Sequence, residues 1–195
     1  MRQKDLFFVR HAPSIPSGFL YGRTDADIAA IDPKESNWLR TRLNECSAFI
    51  SSPARRCVKS YQMIYPDQPP PRIIAPLWEQ SFGEWEGMAY DQLPDIGEKS
   101  GSDLVDFCPP EGESFADLCR RVNKGLSTIL AEEEAEKIAV FAHAGVIRAS
   151  LAQALENPVA ALKFEIGHLS VTHIRALLEP AKPSQFSIVC VNAGR

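Results

Sequence analysis

Two histidines and several arginines follow directly on short apolar runs, and those residue types in that placement suit one kind of ligand, a phosphoryl group. Arg10-His11 follows the run Leu6–Val9. Ser51-Ser52-Pro53-Ala54-Arg55-Arg56 follows Ala48–Ile50, and His143-Ala144-Gly145 follows Ile138–Ala142. Arginine stays charged and grips paired phosphate oxygens through two parallel hydrogen bonds. Histidine acts as a nucleophile where a cationic site binds the group it attacks. Taken singly, a histidine after a strand is an ordinary polar residue at an edge, and two arginines on a helix are a solvated face. Spacing alone therefore supports an anion site and no more.

The three runs read as β-strands. Val171–Leu178 and Ser187–Val191 read the same way, and Ile73–Ala75 is a weaker sixth. Helical patterns lie between them. Residues 34–45 place Trp38, Leu39 and Leu43 on one side. Residues 53–65 align Ala54, Cys57, Val58, Tyr61 and Ile64. The strongest pattern follows Ser114, where Phe115, Leu118, Cys119, Val122, Leu126, Ile129 and Leu130 recur at three and four residues. Ser114 with Asp117 predicts a capping-box start, and a further helix is expected from about Gly145 to Leu155. Strands alternating with helices predict an α/β fold, a mostly parallel central sheet of about six strands flanked by helices on both faces. In such sheets ligands bind beyond the carboxyl ends of the strands. Ser52 reads as a helix N-cap with Pro53 at the first helical position. Helix starts there and after His143 would offer unpaired N–H groups to an anion.

Composition narrows the classes. The 195 residues suit one domain, 1–195, with 45% hydrophobic and 24% charged residues. The proline-rich stretch 66–76 reads as a surface connection, because apolar segments on both sides are needed for one core. A net charge of −4 without a basic run argues against nucleic acid as a partner. No apolar run approaches the roughly 20 residues that span a bilayer, and the N-terminus lacks the pattern of a signal peptide. Five scattered cysteines without a CxxC pair suit reduced thiols. The expected setting is cytoplasmic, with no membrane partner. Aspartate is missing from the three strand ends, so no metal is expected. His168 and His173, five apart, would point to opposite faces of a strand and read as structural or rim residues.

At these residues the chain resembles the histidine phosphatase (phosphoglycerate mutase-like) superfamily. Arg10-His11-Ala12-Pro13-Ser14 resembles its nucleophile segment, and Ser52-Pro53-Ala54-Arg55-Arg56 its second, with Arg56 as the matching arginine and Arg55 as the weaker one. Leu77 to Gly87, containing Glu79, resembles the general-acid segment. Pro110-Glu111-Gly112-Glu113-Ser114 resembles the segment before a long helix, and Phe141 to Arg148 the late-histidine segment. The five segments come in the family's order over residues 5 to 150. Ala12 and Ala144 stand where the family usually has glycine, and alanine disfavours positive φ.

The resemblance implies a three-layer fold and a phosphomonoesterase that uses no cofactor. His11 would attack the phosphorus. Arg10, Arg56 and His143 would hold the phosphoryl oxygens and stabilise transition-state charge. Glu79 would protonate the leaving alkoxide and then activate water. Glu84, Glu86 and Glu111 are other acidic residues near it, and Glu113 a further polar contact. The stretch Tyr21-Gly22-Arg23-Thr24-Asp25 resembles the α-ribazole phosphatase branch, which dephosphorylates a nucleotide-like cobalamin precursor. Ser14, Tyr21 and Arg23 are the candidate substrate contacts, and the partner is a small-molecule phosphate monoester. A broad-specificity sugar-phosphate phosphatase, a phosphoglycerate mutase-like enzyme and an inactive phosphate-binding protein are the alternatives. A homodimer is compatible with all of them.

Overall fold

The computed structural model describes residues 2–179 and 184–194. The chain runs β1 (Arg2–Arg10), a short pair β2 (Ser14–Ile15) and β3 (Asp27–Ile28), α1 (Pro33–Arg42), β4 (Ala48–Ser51), α2 (Arg55–Ile64) and β5 (Arg72–Ile73). It continues through α3 (Gly101–Asp106), α4 (Phe115–Glu132), β6 (Lys137–Ala142), α5 (Ala144–Leu155), α6 (Pro158–Ala161), β7 (Val171–Leu178) and β8 (Gln185–Ala193). Among the described residues no helix is long and apolar enough to cross a membrane.

Six strands form the central sheet in the order β5-β4-β6-β1-β7-β8. The four from β5 to β1 are parallel, while β7 runs antiparallel to both of its neighbours. Apolar side chains leave both faces of β1 and β6, which is the pattern of strands covered on both sides. Phe7, Val9, Ala139 and Phe141 pack with Leu39 of α1, Leu43 just past its end, and Cys57, Tyr61 and Ile64 of α2. Leu6, Phe8, Ile138 and Val140 pack on the opposite face with Leu118, Val122, Ile129, Val146 and Ile147 of α4 and α5. Edge strand β8 instead alternates exposed and half-buried residues.

Most elements lie where periodicity puts them. Ser114 and Asp117 form the expected capping box at α4. Three readings need correction. Ile73–Ala75 is not a strand throughout: pairing with β4 stops at Ile73, and Ala75–Leu77 is a 3-10 turn. Ser52 does not cap α2, whose first helical residue is Arg55. The Ser52 hydroxyl bonds a histidine ring and accepts from Ala54 N at 3.3 Å, ahead of the helix, while Asp25 accepts from Arg55 N at 2.7 Å. His168 is not on a strand with His173; it lies in the turn before β7, where Leu169 adopts φ 57° and donates to Arg10 O at 3.0 Å.

Register places the carboxyl ends of three strands level. Arg10 pairs with Ala142, and Ser51 with Phe141. One residue further, His11 N donates to Ala142 O at 3.0 Å and Ser52 N to Phe141 O at 2.9 Å. The backbone at His11 and Ser52 is therefore fixed by continued sheet hydrogen bonding, and His143 O, just past β6, accepts from Ile147 N at 3.0 Å to start α5.

Candidate active site

His11, Arg10 and Arg56 converge on a cavity of about 280 Å³, with Glu79, Ser14, Tyr21, Tyr90 and His168 also in its lining. His11 is 6% exposed. Its Nδ1 lies 2.7 Å from Ala12 O. A carbonyl only accepts, so Nδ1 carries the proton and Nε2 keeps its lone pair. Burial first, then the Arg56 guanidinium, holds the His11 imidazole well below the ordinary 6.5, with Arg10 and His168 acting in the same direction. The ring is neutral at physiological pH, the form a nucleophile needs.

Arg56 is fully buried. Its Nε donates to His143 Nδ1 at 3.2 Å, Nη1 to Thr24 O at 3.1 Å and Nη2 to Gly22 O at 2.7 Å. A guanidinium has five N–H groups, so these three bonds leave others for a ligand. The carboxylate of Asp25 stands off at 3.7 Å. Arg10 donates from Nη1 to Ile166 O at 2.5 Å, while its buried Nε bonds no protein acceptor. Buried donors are ordinarily bonded, so this N–H fits an anionic oxygen.

His143 differs from expectation. It is fully buried, and both ring nitrogens are engaged. Nδ1 accepts from Arg56, which puts the proton on Nε2, 2.8 Å from Ser52 Oγ. Burial and then Arg56 hold it well below the ordinary value. In this arrangement it orients Arg56 instead of lining the cavity.

Glu79 lies in an irregular stretch between 3-10 turns and is 8% exposed. Its Oε2 accepts from Gly145 N, in the first turn of α5, at 3.1 Å, and its Oε1 from Gln80 N at 3.0 Å. It also lines a second lobe of about 210 Å³, which shares Arg10, Tyr21 and Tyr90 with the first. That lobe adds Leu20, Phe82, Phe115 and Leu162, with Gln80 and Arg148 as polar groups. Glu79 thus stands between the lobe that holds His11 and a second lobe lined by both apolar and polar side chains.

The remaining expectations divide. Ser14 and Tyr21 line the cavity, Tyr21 with its hydroxyl donating to Pro16 O at 3.1 Å. Arg23 does not line either lobe, and its guanidinium lies 5.6 Å over the Trp78 ring. Arg55 is turned to Asp27 on the surface. Ala12 and Ala144 are not among the residues with positive φ, so neither needs glycine for its backbone. Sequence reasoning undervalued His168, whose Nδ1 donates to His11 O at 2.9 Å, and it missed Tyr90 and Arg148. Among the described residues no cluster of three or more His, Cys, Asp and Glu side chains forms a metal site.

An α/β sheet that brings a histidine and an arginine from a strand end together with a buried arginine of the next helix marks a class of phosphate-handling protein. The chain belongs to the histidine phosphatase superfamily (branch 1), whose family model it matches over residues 6–187. It is similar to the adenosylcobalamin/alpha-ribazole phosphatase of Salmonella typhimurium, 29% identical over 97 residues, which cover 48% of each chain. It is 33% identical over 84 residues to a bifunctional protein of Mycobacterium tuberculosis, covering 41% of this chain and 23% of that protein. The matched lengths are thus less than half of each relative. The fold is similar to mycobacterial glucosyl-3-phosphoglycerate phosphatase (TM-score 0.81, 19% identity, 99% and 100% of the chains covered). It is also similar to a candidate alpha-ribazole-5'-P phosphatase of Escherichia coli (TM-score 0.78, 21% identity, 98% of each covered).

Two outcomes follow from this geometry. A Cβ on residue 145 would fall on Glu79 Oε1, a side-chain end that can move. Gly145→Ala is therefore expected to keep the fold but to slow hydrolysis of alkyl phosphates by about 10²-fold through misplaced acid, read by steady-state kinetics beside a thermal melt. Because His11 resists protonation, the acid limb of kcat/KM assigned to it is expected below pH 6.5. A limb above that value in a pH–rate profile would contradict the neutral, cation-flanked ring.

Proposed function

We propose that the protein is a metal-independent phosphomonoesterase that passes the phosphoryl group from substrate to water through His11. The observation that supports this best is the hydrogen bond from His11 Nδ1–H to Ala12 O. It leaves Nε2 as the free nitrogen of a ring lining a cavity with two arginines. Nε2 forms the bond to phosphorus as the ester P–O bond breaks, and the leaving alkoxide takes a proton from Glu79. Arg10 and Arg56 hold the phosphoryl oxygens, with His143 fixing the Arg56 plane. Glu79 then draws a proton from water, the oxygen attacks phosphohistidine, and orthophosphate leaves with His11 neutral again. Preorganised donors of this kind act without reorganisation at the moment of reaction.

For the substrate we favour α-ribazole 5′-phosphate, an ester whose leaving group carries a planar base. The apolar side chains of the lobe beyond Glu79, Leu20, Phe82, Phe115 and Leu162, support that reading, since a leaving group departs away from His11 and towards the acid. The similarity to the Salmonella phosphatase supports it as well. A broad-specificity sugar-phosphate phosphatase is the second reading, favoured by Arg148 and Gln80 in the same lobe, which suit hydroxyl-rich groups.

Hydrolysis of α-ribazole 5′-phosphate is to be compared with ribose 5-phosphate and 3-phosphoglycerate, with EDTA present. The expected result is selective release of phosphate from the first and no release by His11→Ala. Uniform release would keep the mechanism and favour the second reading, while wild-type turnover by His11→Ala would sink the nucleophile. Glu79→Gln is expected to slow alkyl esters about 10²-fold or more and p-nitrophenyl phosphate far less, because p-nitrophenolate leaves without a proton. Equal losses on both would remove Glu79 as the acid.

A further inference from the structure

Two carboxylates near the cavity line neither lobe, yet each closes a dense set of hydrogen bonds around one working group. Glu86 accepts from four backbone amides. Gly22 N and Thr24 N reach Oε2 at 3.1 and 2.8 Å, while Arg23 N and Phe82 N reach Oε1 at 2.8 and 3.0 Å. The carbonyls of that same loop, Gly22 O and Thr24 O, hold the two Nη atoms of Arg56. Loop 22–24 is thus a strip of peptide units with N–H groups on Glu86 and C=O groups on Arg56. Burial pushes the Glu86 carboxyl up, but the amides of Phe82, Thr24 and Arg23 outweigh it and leave the group below its ordinary value. Gly22 admits this approach, since a Cβ there would meet both Gln80 O and Glu86 Oε1.

Glu113 plays the corresponding part for the other group. It pairs with Arg121 through two bonds, Nε–Oε1 at 2.9 Å and Nη2–Oε2 at 2.7 Å. Both side chains are largely shielded, at 19% and 15% exposure. Arg121 then donates to Pro76 O at 2.6 Å, Trp78 O at 2.8 Å and Glu79 O at 3.2 Å. Glu113 also accepts from Ser81 N at 3.1 Å, and its carbonyl accepts from Gln80 Nε2 at 2.6 Å. The segment from Pro76 to Ser81, which has no helix or strand ladder around Glu79, is carried by this pair.

We infer that Glu86 and the Glu113–Arg121 pair are positioning residues with separate tasks, Glu86 fixing the phosphate grip of Arg56 and Glu113–Arg121 fixing the proton delivery of Glu79. The inference rests on the phosphatase chemistry proposed above. It implies that the two tasks can be impaired one at a time. A general structural role would lower both together.

The test uses the full chain, Glu86→Gln, Arg121→Lys and Arg121→Met. Two readouts serve: competitive inhibition by inorganic orthophosphate, and the ratio of kcat on p-nitrophenyl phosphate to kcat on glycerol 3-phosphate. Glu86→Gln is expected to weaken orthophosphate inhibition about tenfold, the loss of one charge-assisted bond, with an unchanged leaving-group ratio. Arg121→Met is expected to raise that ratio about tenfold with unchanged inhibition, and Arg121→Lys to recover part of it. Each variant keeps one readout at the wild-type value, which itself reports a folded protein. Loss of both readouts together in either variant, or an unchanged ratio in Arg121→Met, overturns the inference. Glu79→Gln run alongside separates the two levels. If it leaves the leaving-group ratio unchanged, the proposed acid is wrong; if it raises the ratio and Arg121→Met does not, the positioning role alone is wrong.

Discussion

A guanidinium buried but for one edge on a cavity has to find acceptors inside the protein, and the arrangement around Arg56 answers that demand. Burying an unpaired charge is costly, and Asp25, the carboxylate that forms an ion pair with Arg56, stays 3.7 Å away. Two carbonyls of loop 22–24 and the Nδ1 of His143 accept in its place. Each acceptor brings its own requirement. The carbonyls can face Arg56 because the amides of the same loop are taken up by Glu86. His143 can accept because its ring is neutral with the proton on Nε2, and that proton is taken by Ser52. Ser52 Oγ also accepts from Ala54 N at 3.3 Å but reaches no amide of α2, and the first of these, Arg55 N, bonds Asp25. Satisfying the cation with neutral dipoles leaves its charge available to a ligand, whereas a tight carboxylate partner would have cancelled it.

Burial, reinforced by the same cation, keeps the histidines uncharged. Burial acts most strongly on both His11 and His143, and Arg56 adds to it in each case. A site of two arginines and neutral imidazoles has the charge to meet a phosphate dianion and keeps a lone pair on His11 Nε2, the nitrogen proposed to attack. His168 extends this logic, since it too lies below its ordinary value through burial and Arg10, and its Nδ1 bonds the His11 carbonyl.

The sheet and its level strand ends were legible because apolar runs and helical periodicity report burial directly. Leu6–Val9, Ala48–Ile50 and Ile138–Ala142 brought His11, Arg56 and His143 to one edge on pattern alone. Glu79 was legible only through resemblance: its segment of 3-10 turns has no period for a side chain to stand out from. Ser52 was misread because a Ser-Pro pair before a helix is a strong capping signal, and nothing local announces a histidine 91 residues away as a competing partner. Arg23 looked like a ligand contact beside Tyr21, yet successive loop residues diverge, and its side chain is drawn over Trp78. His168 and Arg148 owe their places to the antiparallel return of β7 beside β1 and to the pitch of α5, which strand-end reasoning does not reach.

The first turn of α5 then sets the distance between the two halves of the chemistry. His143 stands at its N-cap and aligns Arg56; Gly145, two residues on, holds the Glu79 carboxylate through its amide. A helix fixes the offset of those two backbone positions more firmly than a loop would. The carboxylate reaches the Gly145 amide because that residue has no Cβ, whereas Ala144 beside it tolerates one. The proposed grip and the proposed acid are built on different scaffolds, the sheet edge and an irregular strap, and such scaffolds would ordinarily drift relative to each other. Referring both to one helical turn anchored in β6 removes that freedom, since β6 is hydrogen-bonded on both sides, to β1 and to β4. Differences in the strap between Glu79 and α4 can then reshape the second lobe without moving the Glu79 carboxylate, the proposed proton donor.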